Sequence, residues 1–155
     1  PMQWSAERNA GFSEGDSLVR PLVSRGPFAY EKVNVEAQQR DPDSLLGWMT
    51  GMHRIRKQCP EIGWGDWRVV ATGSRNVLAI AYTWRGSTIV TVHNLSQAPR
   101  EAKLGLGGGV LTNLVDVEEI RATRGGAHRV TLEAYGYRWL RLGDTNQALA
   151  REMVD

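Results

Sequence analysis

The sequence predicts a mainly β fold: an antiparallel β-sandwich preceded by a long loop and one helix. Three observations carry this. Apolar residues recur with period two from Trp67 to Leu142, residues 41–60 hold one helix-period stretch between clear start and stop signals, and residues 1–40 follow neither period. Glycine, at 17 of 155 residues, falls mostly between the period-two runs, which makes the chain rich in turns.

Residues 1–40 are punctuated by Pro1, Gly11, Gly15, Pro21, Gly26 and Pro27. A segment this long without regular structure is uncommon in a compact domain unless it is functional or a linker. Trp4, Phe12, Phe28 and Tyr30 argue against a floppy linker, which is normally poor in aromatics, so the segment reads as a long, ordered excursion. A helix is expected over 42–58. Asp41 suits its cap, Pro42 its first position, and Asp43 places negative charge at the positive end of the dipole. Leu45, Leu46, Trp48, Met49, Met52 and Ile55 make one apolar face, His53, Arg54, Arg56 and Lys57 complement the C-terminal partial charge, and Pro60 stops the helix.

Strands are expected at 67–72, 77–84, 87–94, 100–106, 110–116, 128–134 and 137–142. Arg85-Gly86 is a two-residue hairpin connection whose glycine can take positive φ, and Tyr135-Gly136 is expected to turn the last pair in a similar way. Seven short strands with no helix between them read as an antiparallel sandwich or barrel. Val69, Leu78, Ile80, Ile89, Val90, Val92, Leu132, Trp139 and Leu140 are assigned to its core or sheet faces. Neighbours such as Ile89 and Val90 point to opposite sides, so one of each pair needs cover from the helix or a partner. The expected division is 1–60 for loop and helix, 61–143 for the sandwich, and 144–155 for a weakly helical, peripheral tail.

Charge and composition narrow the function. Residues 1–60 carry eight Lys+Arg and seven Asp+Glu, and residues 61–155 carry eleven and ten, so the net +2 hides no basic run and nucleic acid is not an expected partner. No apolar stretch approaches the ~20 residues of a membrane span, and no basic-apolar leader opens the chain, which leads to the expectation of a soluble, cytoplasmic protein without membrane contact. The lone Cys59 permits no internal disulfide and no cysteine-cluster metal site.

Chemistry-bearing patterns are few. His53, His93 and His128 lie far apart, none at the spacing of a helical metal pair, and each reads as structural, so no metal is expected. There is no Gly-x-Ser-x-Gly elbow, phosphate loop or dinucleotide fingerprint, and Gly107-Gly108-Gly109 reads as a connection, so no cofactor is expected. Asp116, Glu118 and Glu119 are the densest acidic cluster and read as a solvated strand end, because a catalytic dyad needs two carboxyls held at fixed separation in a pocket. Among the tryptophans, Trp48, Trp84 and Trp139 read as core packing, while Trp64 and Trp67 are the candidates for stacking on sugar.

Pro1-Met2-Gln3-Trp4 followed by Asn9-Ala10-Gly11-Phe12 resembles a signature of glycoside hydrolase family 13, the α-amylase family, in its α-glucosidase and trehalose synthase branch. Further matches run in the expected order over nearly the whole chain. They are Val33-Asn34-Val35-Glu36-Ala37-Gln38, Asp41-Pro42-Asp43-Ser44-Leu45-Leu46, Arg54-Ile55-Arg56-Lys57 with Cys59-Pro60, Gly65-Asp66-Trp67, and Tyr135-Gly136-Tyr137-Arg138-Trp139. The resemblance implies that residues 1–60 are the end of a (β/α)8 barrel, the loop after strand eight plus the last helix, and that the sandwich is the family's C-terminal domain. It also implies that the nucleophilic Asp, the acid-base Glu and the stabilising Asp come from barrel strands upstream of Pro1. No catalytic residue is therefore assigned in this chain.

Active sites of such barrels lie among the loops that follow the strands, so Gln3, Trp4 and Asn9 are the candidates for approach to substrate. For Trp4, anchoring of the loop is an equal alternative. The expected role is the C-terminal portion of an α-glucan- or maltose-active enzyme, trehalose synthase-like, supporting the barrel without catalysing. The alternative is a carbohydrate-binding β-sandwich module, though such a module has no need of residues 1–60. The expected partners are the missing barrel half, or self-association through the helix at 42–58, with α-glucan or maltose as ligand.

Overall fold

The computed structural model describes residues 1–143, and the expected helical tail at 144–155 lies outside the described residues. The chain divides into two compact units, Pro1–Arg54 and a second from Ile55 onward.

In the first unit the long loop ends in a short helix that periodicity did not reveal, α1 (Val35–Arg40). Asn34 caps it: its side-chain oxygen accepts from the Ala37 amide at 2.8 Å, while its amide nitrogen donates to the Tyr30 carbonyl at 2.8 Å. The next helix, α2, spans Leu45–Lys57, so it starts three residues later than the Asp-Pro-Asp-Ser run suggests. Asp41 instead builds the turn before it, accepting from the Asp43 amide at 3.0 Å. Ser44 takes the cap, accepting from the Gly47 amide at 3.1 Å and donating to the Gln38 carbonyl at 2.7 Å. The Gln38 side chain accepts from the Leu46 amide at 3.0 Å, so α1 supplies partners for the open end of α2. No side chain of α2 is buried, and Leu45, Trp48 and Met49 are exposed. The core position read for Trp48 is therefore corrected: its ring is 45% exposed, while Leu46, Met52 and Ile55 on the same apolar face are half-buried.

The second unit opens with a four-residue helix, α3 (Glu61–Trp64), followed by eight strands: β1 (Asp66–Val69), β2 (Val77–Trp84), β3 (Ser87–Asn94), β4 (Arg100–Gly105), β5 (Val110–Asn113), β6 (Glu119–Arg121), β7 (Ala127–Leu132) and β8 (Tyr137–Leu142). They form a six-stranded sheet in the order β1-β2-β3-β8-β5-β6 and a two-stranded sheet β4-β7, all pairs antiparallel. The β2–β3 turn is the expected one, with Arg85 at φ 49° and Gly86 at φ 80°. Two readings are corrected. Strand β5 ends at Asn113 because Val117, at φ 62°, folds the chain back to make β6, a strand too short and too charged to show a period. Strands β7 and β8 are not a hairpin, since Tyr135-Gly136 carries the chain from one sheet to the other.

Between the sheets lie Val77, Ala79 and Ala81 of β2, Val90 and Val92 of β3, Leu111, Leu140 and the preceding Val70, facing Ala102, Leu104, Val130 and Leu132 of the small sheet. Ile89, Leu78, Ile80, Val69 and Trp139 point the other way, as the register of neighbouring strands requires. Ile89 is nonetheless fully buried, because α3 packs on β2 and β3 at that end of the outward face. The junction is close: a Cβ on Gly65 would lie 2.6 Å from the Thr83 carbonyl oxygen. Arg141 of β8 donates to the Gln58 carbonyl at 2.9 Å and lies 4.0 Å from the buried carboxylate of Glu61. Cys59 is sealed in this joint, and its thiol is pushed up to about 11, by burial above all, against the opposing pull of Arg141. It is inert as a nucleophile at neutral pH.

His93, on the outward face, stacks on Tyr137 with ring centroids 6.3 Å apart, and burial holds its imidazole below its ordinary value of 6.5. As pH falls through 6.5 the unfolded chain takes the proton before the folded one does, so His93 costs stability on the acid side and nothing above 6.5. His93→Gln is expected to flatten the fall in unfolding free energy below pH 6.5, read by denaturant titration at a series of pH values; an unchanged slope would refute this.

Candidate functional site

The segment Pro1–Phe12 is built by its own backbone. The amides of Trp4 and Ser5 both donate to the Ala10 carbonyl, at 2.9 and 3.1 Å. The carbonyls of Gln3 and Trp4 accept from the Val35 and Glu36 amides, both at 2.9 Å, which are first-turn donors of α1 with no partner inside the helix. Pro-Met-Gln-Trp is thus strapped on one side to a tight turn and on the other to a helix start. The turn has an unusual hand: Asn9 (φ 55°, ψ 26°), Ala10 (φ 56°, ψ 30°) and Gly11 (φ 63°) are consecutively left-handed. For residues with a side chain this costs about 1–2 kcal/mol each, so the surroundings must over-determine it. Ala10 is fully buried, and a Cβ on Gly11 would lie 2.7 Å from Ser5 Oγ.

The three candidate residues come together in this loop but differ in what they have left to offer. The Gln3 side-chain amide donates to the Val33 and Phe28 carbonyls, and the Asn9 amide to the Ser13 and Gly15 carbonyls at 3.0 and 2.7 Å. Both amide nitrogens are spent on shaping the loop. Trp4 has its backbone bound and its ring 49% exposed, with Phe12 and Met2 similarly open. The loop offers flat apolar surface on a hydrogen-bonded frame.

His53 is exposed, and His128 is fully buried with Nε2 3.0 Å from the Gly109 carbonyl oxygen. Asp116 is exposed, while Glu118 and Glu119 line a depression of about 460 Å³ with Glu133, Arg121, Arg129 and Arg138. Its arginines meet acids: Arg121 to Glu119 at 3.5 Å, Arg129 to Glu101 at 2.6 Å, and Arg138 to both oxygens of Glu133 at 3.1 and 2.8 Å. The Arg138 hydrogen bonds hold the Glu133 carboxyl below its ordinary value. Among the described residues no group of three or more His, Cys, Asp or Glu is placed to hold a metal, and no helix is long and apolar enough to cross a membrane.

A loop and short helices precede an antiparallel sandwich, and no catalytic constellation stands among the described residues. Residues 1–65 match the model of the α-amylase catalytic domain and residues 86–141 that of the sucrose hydrolase-like C-terminal domain. The chain belongs to glycoside hydrolase family 13, the α-amylase family, and corresponds to its C-terminal part. It is similar to the trehalose synthase of Pimelobacter sp. (33% identical over 93% of this chain and 27% of that protein) and to that of Thermus thermophilus (35%, over 88% and 15%). The crystal structure of trehalulose synthase MutB superposes with a TM-score of 0.69 at 25% identity, over 92% of this chain and 25% of that one. The chain therefore spans about a quarter or less of these relatives.

Gly11→Ala is expected to lower stability by about 1–2 kcal/mol through its left-handed φ, with more from the contact at Ser5. Proteolysis should then open the loop before the sandwich. A loop as resistant as the wild type would show that the left-handed turn is not what holds it.

Proposed function

We propose that this chain is the C-terminal portion of an α-glucan- or maltose-active enzyme of the glucosyl-hydrolysing or glucosyl-transferring kind, trehalose synthase-like and cytoplasmic. It supports the catalytic barrel and takes no chemical step. One observation supports this reading: a catalytic-domain match over residues 1–65 and a C-terminal-domain match over residues 86–141 follow one another in one chain. The proposed division follows residue 60, with the barrel's last loop and helix before it and the sandwich over 61–143.

Within that frame the Pro1–Phe12 loop stands on the substrate side. Trp4 presents its ring to sugar, and Gln3 and Asn9 are positioning residues, because their donors already hold the loop. The face of α2 made by Leu46, Trp48, Met49 and Met52 belongs against the rest of the barrel. Leaving several such side chains wet is costly, since burying each is worth about 1.5–3 kcal/mol against a total stability of ~5–15 kcal/mol. The exposure of Trp64 (78%) and Trp67 (67%) favours the second reading, a glucan-binding module. A titration with amylose separates the two, since only a module binds it without a barrel.

Two outcomes are expected of the isolated chain. It should not turn over maltose or a nitrophenyl α-glucoside; sustained turnover abolished by mutating one of its own carboxylates would overturn the proposal. It should also self-associate through α2, so that Leu46→Glu with Met49→Glu shifts sedimentation toward monomer. A strictly monomeric wild type at high concentration would contradict this.

A further inference from the structure

Strands β6 and β7 are joined by a turn that starts a hairpin and does not continue it. The Thr123 amide donates to the Ala127 carbonyl at 2.8 Å, and the same register would set Arg121 opposite Arg129 and Glu119 opposite Thr131. The two strands belong to different sheets instead. Like charges directly opposite one another disfavour pairing, and each arginine turns to an acid of its own sheet, Arg121 to Glu119 and Arg129 to Glu101. The strands splay apart along the charged depression that both of them line.

Alternation tells which groups of β7 are left open. Lys103 of β4, the register partner of Arg129, donates its amide to the Thr72 carbonyl at 2.9 Å, away from β7. Opposite residues of an antiparallel pair either face each other or both face away, so the amide and carbonyl of Arg129 point away from β4. By the same alternation those of Thr131 do too, and the Ala127 carbonyl, bound to Thr123, points the same way. Among the described residues no backbone group pairs with Arg129 or Thr131 on that side.

We infer that β7 is a docking edge whose occupant is β7 of a second copy of this chain, added antiparallel about a twofold axis at Val130. That register sets Arg129 opposite Thr131 of the second copy and Thr131 opposite its Arg129. Each pair then exchanges both backbone bonds, so the open groups satisfy one another. Neighbouring registers fail. An axis at Arg129 would set two guanidinium groups against each other. An axis at Thr131 needs the Glu133 carbonyl, which already accepts from the Asn94 side-chain amide at 2.7 Å and the Gly136 amide at 2.9 Å. An axis at His128 needs the Ala127 carbonyl, which Thr123 holds. The edge is therefore complementary to itself in one register, which is what a twofold interface requires. His128, Val130 and Leu132 stay inside their own sandwich, so pairing extends each two-stranded sheet to four strands without exposing apolar surface.

Sedimentation velocity over a concentration series tests this on the 155-residue chain carrying Leu46→Glu and Met49→Glu, so that association through α2 does not contribute. The chain should dimerise reversibly. Thr131→Lys sets a second cation opposite Arg129 at two symmetric places and should weaken the dimer roughly tenfold, whereas Thr131→Glu sets a carboxylate there and should strengthen it. Hydrogen exchange followed by NMR should show the Arg129 and Thr131 amides exchanging fast in dilute samples and slowly in concentrated ones. If a variant fails to fold, exchange in the chain with native Thr131 decides. A monomer at every concentration overturns the inference, and so does a dimer that Thr131→Lys leaves unchanged. Protection of the two amides that does not vary with concentration assigns the edge to the same chain. Equal protection of the monomer by an unrelated peptide of alternating threonine and valine assigns it to strands at large; either result also overturns the inference.

Discussion

A strand that is apolar on both sides needs two partners, and the middle of this protein is made of such strands. Val77, Ala79 and Ala81 alternate with Leu78, Ile80 and Tyr82 along β2, and Val90 and Val92 alternate with Ile89 and Thr91 along β3. Two short strands, β4 and β7, suffice to close one side with Ala102, Leu104, Val130 and Leu132. Among the described residues α3 closes one end of the other side, and the details of the joint follow from that. Gly65 is a glycine because the helix end stands against the Thr83 carbonyl, and Arg141 bridges from β8 to the Gln58 carbonyl. Glu61 and Cys59 are buried because the contact is dry enough to exclude solvent.

The first unit answers a different need, the satisfaction of backbone donors in a segment that has almost no core. It uses each helix start as a place to fasten something else: the carbonyls of Gln3 and Trp4 at α1, the side chains of Gln38 and Ser44 at α2. Residues far apart in sequence are thus pinned by hydrogen bonds where hydrophobic burial is scarce. That is why a left-handed run at Asn9–Gly11 is held in place despite its cost.

Most of the sandwich was legible in the sequence because strands, turns and register all leave a period. The Arg85-Gly86 turn and the limits of β2, β3 and β8 stand where alternation and glycine put them. What escaped has no period to read. Three-residue β6 is charged because it is an edge, α1 is too short to show a face, and the Ser44 cap competes with an equally suitable Asp41. Trp48 was read inward since an apolar stripe says that a face needs cover and nothing about who supplies it. Family likeness alone points to Gln3, Trp4 and Asn9, and no pattern in the sequence tells that the side-chain donors of Gln3 and Asn9 are spent on loop carbonyls.

The position of β8 bears on how the chain is made. It is the last of the eight described strands to leave the ribosome, yet it lies between β3 and β5 in the sheet and carries Leu140 into the core. Until it arrives, β5 and β6 have no route to the rest of the large sheet, and the β2–β3 hairpin waits with one edge bare. The sandwich therefore closes late and in one step, after synthesis of all its strands. Until β8 emerges the β2–β3 hairpin depends on whatever shields a bare, apolar strand edge.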